Sequence, residues 1–340
     1  MTFNFRPAVR ENVGLWINLV GGTGGGKTFT GMRLASGIAG GKPFAVIDTE
    51  NRRALHYADQ FRFDHAELRA PFTPDAYAEA IVAADAAGYP VIMVDSGSHV
   101  WAGDGGVLDM QEAELDEMVK RAASRNDKRS EWQIRESGKM SAWIKPKKAH
   151  KQRVQKLLQV KAHLILCLRA EEKIEMVKGR DGKIEIQKKQ SLTGKDGWIP
   201  ICDKNLPFEA TCSFLLLAGQ PGIPLPIKLQ EQHKRLFPLD KPITEESGRL
   251  IAQWAAGGSV KESAAPASDP QASQPNLSAG SESGQADFET EALLVKGREW
   301  AECGTEKYAA WWSGLTPAQR KSIGTVQHGR MKEIAAAVPV

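Results

Sequence analysis

The chain has 340 residues, 41% of them hydrophobic, with 45 Lys and Arg against 41 Asp and Glu for a formal net charge of +4. That length accommodates one sizeable domain and something smaller around an ordinary core, and so slight a net charge announces no polyanionic partner by itself. Cys167, Cys202, Cys212 and Cys303 form no CxxC pair, so neither a zinc site nor a disulfide framework is indicated and reduced thiols are expected. No apolar run is long enough for a membrane span, and residues 1–6 lack the basic-then-apolar layout of a signal peptide, so the expectation is a cytoplasmic protein with no membrane partner.

A short apolar run, Leu15 to Val20, leads into a glycine-rich loop, and Phe29 to Ile38 continues with helix-compatible residues: strand, loop, helix. Phe44 to Asp48, Val91 to Asp95 and Leu164 to Leu168 read as buried strands, and Thr73-Pro74-Asp75 opens a helix that closes near Gly88-Tyr89-Pro90. Strands alternating with helices predict an α/β fold, a mostly parallel sheet covered on both faces. Asp181-Gly182 before Lys183 to Lys188 is a two-residue hairpin signal, and Thr211 to Leu217 is a further apolar strand.

From residue 257 to 286 Ser, Ala, Gly, Pro and Gln dominate, and the scarcity of bulky apolar side chains predicts a disordered linker. Residues 287–340 regain apolar and aromatic side chains, including Phe288, Leu294, Trp300, Tyr308, Trp311, Trp312 and Met331, with Thr316-Pro317-Ala318-Gln319 as a capping box. This tail reads as a small helical module, and residues 1–256 as the main domain.

The loop Gly21-Gly22-Thr23-Gly24-Gly25-Gly26-Lys27-Thr28 matches GxxxxGKT, a phosphate-binding P-loop. Its glycines let backbone N–H groups turn toward phosphate, Lys27 neutralises the β and γ phosphates, and the Thr28 hydroxyl ligates magnesium. Gly22 through Thr28, with Phe29 beyond, are therefore the candidate ATP contacts. Val91 to Val94 deliver Asp95 to the carboxyl end of a buried strand, where it would hold a magnesium-bound water. Ser96 follows, so the base that activates the attacking water must come from elsewhere. Glu50, closing the strand that ends Ile47-Asp48-Thr49-Glu50, is the candidate, with Asp48 the competitor.

Together the glycine loop, Ile47-Asp48-Thr49-Glu50 and Val94-Asp95-Ser96 resemble the RecA-like branch of P-loop ATPases. The closer likeness is to the phage-encoded nucleotide-binding ATPases related to single-strand annealing and recombination proteins, over roughly residues 13 to 256. The resemblance implies a RecA-like core in which Lys27 and Thr28 serve phosphate and magnesium, Asp95 the magnesium and Glu50 the water. It also implies that Leu164 to Leu168 lies between the strands bearing Lys27 and Asp95. Arg169 then stands where the family has a glutamine that senses the γ phosphate; an ion pair with Glu171 or Glu172 is the structural alternative. Relatives assemble head to tail, which implies a homo-oligomer with Lys228, Lys234 and Arg235 as candidates for completing a neighbour's site.

From Val119 to His163 fourteen Lys or Arg stand against three acids. Trp132 and Trp143 lie among them with Lys145, Lys147, Lys148, Lys151 and Arg153, a combination suited to single-stranded DNA, although the acidic segment Asp109 to Glu117 can pair with part of it. The segment 171–198 takes the place of the family's DNA-contacting loop and carries Lys173, Lys178, Arg180, Lys183, Lys188, Lys189 and Lys195 among the glycines Gly179, Gly182, Gly194 and Gly197. The tail, with seven acids and seven bases, suits a protein partner better than phosphate. The reading is an ATPase acting on single-stranded DNA in recombination, annealing or replication. Its rivals are a nucleotide-switched scaffold or loader and a motor such as a helicase or packaging ATPase.

Overall fold

The computed structural model describes residues 7–8, 10, 13–178, 184–192, 197–257, 293, 296–297, 300–301 and 304–336. Trp16–Gly21 (β1) runs into the glycine loop and Lys27–Ala39 (α1) leaves it, followed by Phe44–Asp48 (β2), Phe63–Glu67 (β3), Pro74–Ala86 (α2) and Val91–Asp95 (β4). The helices His99–Ala102 (α3), Val107–Ser124 (α4), Glu131–Gly138 (α5) and Ile144–Leu157 (α6) precede the long strand His163–Glu172 (β5). Ile174–Lys178 (β6), Ile184–Lys188 (β7), Trp198–Pro200 (β8), Leu206–Glu209 (α7), Cys212–Leu216 (β9), Pro224–Lys228 (β10) and Glu245–Ala255 (α8) follow.

The result is a mixed α/β architecture, a mostly parallel sheet flanked by helices, in the order β10-β9-β1-β5-β4-β2-β3. β10 is antiparallel to β9, and β8 is antiparallel to the far end of β5. β5 lies between β1 and β4, where the resemblance puts it. Cα pairings Gly21 with Arg169 and Asp48 with Asp95 bring four strand ends to one edge, and that edge is where the site forms.

Period-two alternation gives each strand two apolar faces, as burial on both sides of a parallel sheet demands. Ile17, Leu19, Val46, Met93, Ile165 and Phe214 face a core shared with Met32, Leu34 and Ile38 of α1 and Ile251 of α8. Val20, Ile47, Ile92, Val94, Leu166 and Leu168 face the other, with Tyr77 and Ile81 of α2 and Val154 and Leu157 of α6. Asn18 is buried on β1 yet satisfied: it accepts from Trp16 Nε1 at 2.8 Å and donates to Ser213 Oγ at 3.2 Å. α1 and α8 touch backbone to backbone, since a Cβ on Gly37 would come within 2.0 Å of Glu245 O and one on Gly248 within 2.4 Å of Leu34 O. Arg33 of α1 pairs with Glu245 at 2.7 Å beside this crossing.

The 171–198 segment forms an antiparallel β6–β7 pair off the main sheet, and Ile174, Met176, Ile184 and Ile186 of that pair are exposed. Its Asp181-Gly182 turn, with Gly179, Arg180, Lys183, Gly194 and Lys195, lies outside the described residues, as do residues 258–286 of the expected linker and Phe288, Leu294 and Cys303. Cys167, Cys202 and Cys212 are free. Among the described residues no helix is long and apolar enough to cross a membrane.

The chain divides into two compact units, Met1–Ser263 and Ala264–Val340. In the second, helices Thr305–Ser313 and Pro317–Ala336, the latter interrupted at Gly324, enclose Ala301, Tyr308, Met331 and Ala335. Trp312 stacks on His328 with ring centroids 3.7 Å apart, and Tyr308 Oη lies 2.9 Å from His328 Nδ1. The Thr316 capping box forms: Gln319 Oε1 accepts the Thr316 N–H at 3.0 Å, and Thr316 Oγ1 accepts the Gln319 N–H at 3.4 Å. The clustered aromatics are thus largely the unit's own core.

Candidate active site

The glycine loop makes a cradle because its backbone bends where only glycine bends freely: Gly24 and Gly26 have φ of 81° and 80°. α1 begins at once with Lys27, so the first-turn amides of the helix open toward the same space, an arrangement that favours an anion. Lys27 Nζ donates to Gly22 O at 2.9 Å, which keeps the ammonium inside the loop. The indole of Trp198 closes over Gly22, where an added Cβ would meet it at 2.6 Å.

Thr28 Oγ1 donates to Asp95 Oδ2 at 2.6 Å across 67 residues of sequence. Asp95 is buried, and burial pushes its carboxyl up to about 6, against the Thr28 hydrogen bond that lowers it and with repulsion from Glu50 adding to the rise. It therefore remains mostly ionised at neutral pH. A hydroxyl and one ionised carboxylate beside a phosphate cradle fit magnesium, which takes few protein ligands and completes its shell with water and phosphate oxygens. Among the described residues no cluster of three or more His, Cys, Asp or Glu forms a metal site, so the donor set does not suit a metal held wholly by protein.

These groups line a cleft of about 710 Å³ with Glu50, Arg53, Tyr57, His99, Arg169 and Glu171. Asp48 is not free to compete with Glu50. Its buried carboxylate accepts the Glu50 N–H at 2.7 Å and the Ala54 N–H at 2.8 Å, with His65 Nε2 at 3.2 Å. Asp48 thereby shapes the turn that points Glu50 toward the cleft, and Arg53 holds the Glu50 carboxylate at 2.7 Å. Arg169 makes no pair with Glu171 or Glu172, which instead bind Lys173 and Lys188 at 2.8 and 2.7 Å. Its N–H donates to Ser98 Oγ at 2.8 Å, and its exposed guanidinium lies 3.5 Å from His99 Nε2.

Sequence reasoning did not single out His99, Tyr57 or Arg53. His99 Nδ1 is 2.8 Å from Thr49 Oγ1, which also accepts the Ser96 N–H at 2.8 Å, so the ring ties the ends of β2 and β4 to Arg169. Burial lowers the His99 pKa, as does Arg169, while Glu50 opposes them; the ring is neutral at pH 7. Tyr57 and the half-exposed Phe29 meet at 5.9 Å between ring centroids, an aromatic wall on which a base can stack. The signal for Tyr57 and Arg53 was closeness to Glu50 in sequence; nothing local marked His99.

The remaining candidates are scattered. Lys228 Nζ donates to Phe208 O and Ala210 O at 2.6 and 2.7 Å, so it caps the carbonyls before β9 and is engaged within its own chain. Lys234 pairs with Glu231 at 2.6 Å on an exposed 3₁₀ turn that also exposes Arg235. Arg153, a nucleic-acid candidate from its place in a basic run, is instead fully buried against Tyr77, and its guanidinium has no hydrogen-bond partner. Trp143 is half-buried, stacked on Trp101 at 6.1 Å and covered by Lys147 at 5.5 Å; Lys145 pairs with Glu114 at 2.7 Å. Arg135 of α5 binds Glu112, Asp116 and Glu131. Part of the basic segment thus neutralises the acidic one, while Trp132, 71% exposed, and Lys147, Lys148 and Lys151 remain on the surface.

Neither a protein-family model nor any curated protein matches the sequence. Among solved structures, the chain is similar to a KaiC-like protein from the hyperthermophilic archaeon Pyrococcus horikoshii OT3 at 16% identity, over 56% of this chain and 89% of that one, with a TM-score of 0.24. A superposition that loose bears on neither fold nor activity, and the functional reading rests on the cleft itself.

Proposed function

We propose that the chain binds ATP with magnesium in this cleft and hydrolyses it. The observation that carries the reading is the Thr28–Asp95 contact of 2.6 Å beside a loop holding the Lys27 ammonium, at the mouth of a cleft sized for a nucleotide. Loop amides and Lys27 hold the β and γ phosphates, and the Tyr57 and Phe29 rings take the base. Thr28 and Asp95 would hold magnesium, which would supply neutralisation of charge that develops on phosphate oxygens. Glu50 accepts a proton from water as the water oxygen bonds to the γ phosphorus; the bond from that phosphorus to the bridging oxygen breaks, giving ADP and phosphate. Arg169, which lines the cleft 3.5 Å from His99, is the group proposed to meet the γ phosphate.

The resemblance to phage-encoded RecA-like ATPases extends the proposal to work on single-stranded DNA, in recombination, annealing or replication, as a homo-oligomer whose tail meets a protein partner. Exposed Trp132, Lys147, Lys148 and Lys151 support it. The test is the ATPase rate with and without single-stranded DNA, followed by annealing and unwinding assays. Stimulation with annealing is expected. Negligible turnover in both conditions points to a scaffold, and strand unwinding to a motor.

A further inference from the structure

α4 and α5 face each other across a second cleft, remote in sequence from the glycine loop. On α4 and its C-terminal cap, Met118, Arg121, Ala122 and Arg125 form a stripe spaced three and four residues apart; on α5 and just beyond it, Ile134, Ser137, Gly138 and Ser141 form another. The stripes touch at one point, where a Cβ on Gly138 would come within 2.8 Å of Met118 Sδ. Away from that point they part to leave a cavity of about 340 Å³, closed at the turn by Asp127 and Arg129.

The charges in this cavity are unbalanced. The neighbouring guanidiniums are paired: Arg135 of α5 binds three carboxylates, and Arg129 in the turn binds Asp127 at 2.6 Å. The side chains of Arg121 and Arg125 make no ion pair or hydrogen bond among the described residues; Glu117, one turn before Arg121, lies within reach of its charge but is held by Lys120 at 3.0 Å. Two like charges one helical turn apart repel, and among the described residues no carboxylate pairs with either. Among the described residues the only carboxylate lining the cavity, Asp127, is held well below the usual range, at about 2, by its hydrogen bonds from Arg129. The serines cannot supply the missing charge, and their hydroxyls turn inward, Ser137 to Ile134 O and Ser141 to Gly138 O at 3.0 Å each.

A concave site with two guanidiniums outside any ion pair and an apolar floor of Met118, Ile134 and Ala122 matches an anion that carries apolar parts. We propose that it seats the sugar-phosphate backbone of single-stranded nucleic acid, Arg121 and Arg125 binding successive phosphates. This inference rests on the nucleic-acid reading above and assigns that reading a place different from the residues picked by sequence. Trp132 lies about 200° around α5 from Ile134, given 100° per residue, so base stacking on it and phosphate binding in the cleft fall on different faces.

The experiment measures fluorescence anisotropy of labelled oligothymidylate with the full chain and its R121Q/R125Q variant between 50 and 200 mM salt, with thermal melts to check folding. Single strands lose about 0.7 in log–log salt slope per phosphate contact, so the double variant should lower the slope by about 1.4 and the salt-induced loss of affinity over that range by about sevenfold. Ser141→Glu, which places a carboxylate opposite the arginines, should weaken binding without removing any cation. Wild-type binding with unchanged slope and affinity in both variants overturns the cleft alone, as does a loss seen only in a K147Q/K148Q variant. A wild-type chain that binds no oligonucleotide overturns the nucleic-acid reading and the cleft with it.

Discussion

Arg153 sits fully buried on α6 with all three guanidinium nitrogens lacking a hydrogen-bond partner, and burial lowers its pKa to about 10 from 12.5. At about 1.4 kcal/mol per pKa unit, holding that charge inside costs about 3 kcal/mol at neutral pH. The guanidinium is depressed relative to the unfolded chain, so the penalty is present at every pH below about 10 and fades only above it. The Tyr77 ring, 5.7 Å from the guanidinium carbon, returns about 1 kcal/mol. Arg153→Met keeps an unbranched side chain of similar length, removes the charge and should raise stability by about 2 kcal/mol, in line with replacements of buried charges by apolar residues. Arg153→Ala should instead destabilise by leaving a cavity. Urea unfolding of the three proteins, read as midpoint and slope, measures both. A methionine variant less stable than the parent by about 1 kcal/mol or more would refute the reasoning, because it would mean the guanidinium has a partner inside the fold.

Glu50→Gln should lower the hydrolysis rate by about 10²–10⁴ while leaving ATP affinity near its parent value, a split measurable by turnover and by equilibrium binding. His150 is buried and His163 half-buried, each with a pKa lowered to about 4 by desolvation, and His163 Nδ1 accepts the Leu15 N–H at 3.1 Å. Between 4 and 6.5 the unfolded chain therefore binds more protons, so stability is full above about 6.5 and falls on acidification by up to about 1.4 kcal/mol per pH unit for each ring. His163→Asn, which keeps an acceptor for the Leu15 amide, should make that slope shallower by up to about 1.4 kcal/mol per pH unit in urea unfolding taken from pH 4 to 7. Gly248→Leu forces side-chain atoms against the Leu34 carbonyl and should cost about 3 kcal/mol or more, seen as a lower melting midpoint.

The site was legible where the chemistry lies along the chain. The glycine loop, Lys27 and Thr28 come from one continuous spacing, and Asp95 from an apolar run that ends in a carboxylate. What joins distant segments was not. Thr28 meets Asp95 through strand order, and His99 reaches the cleft because the turn after β4 folds back onto Thr49. β3 escaped notice because Phe63–Glu67 carries Asp64, His65 and Glu67 on an edge strand that is only half covered. The helices α4 to α6 were hidden by charge, which drew attention to the count of lysines and away from their spacing. Pro146, His150, Arg153, Val154 and Leu157 follow a three-and-four pattern that marks one buried face. Read that way, Arg153 falls on the inside, and on α6 the exposed Lys147, Lys148 and Lys151 remain for a polyanion.

The central claim is that Lys27 and the loop around it hold the phosphates of ATP. Isothermal titration of ATP with magnesium into the parent chain and Lys27→Ala tests it most directly. The account predicts binding to the parent and a loss of at least about 100-fold in affinity in the variant, as fits removal of a charge-assisted contact to phosphate. Equal affinity in the two proteins, with turnover unchanged, would contradict it.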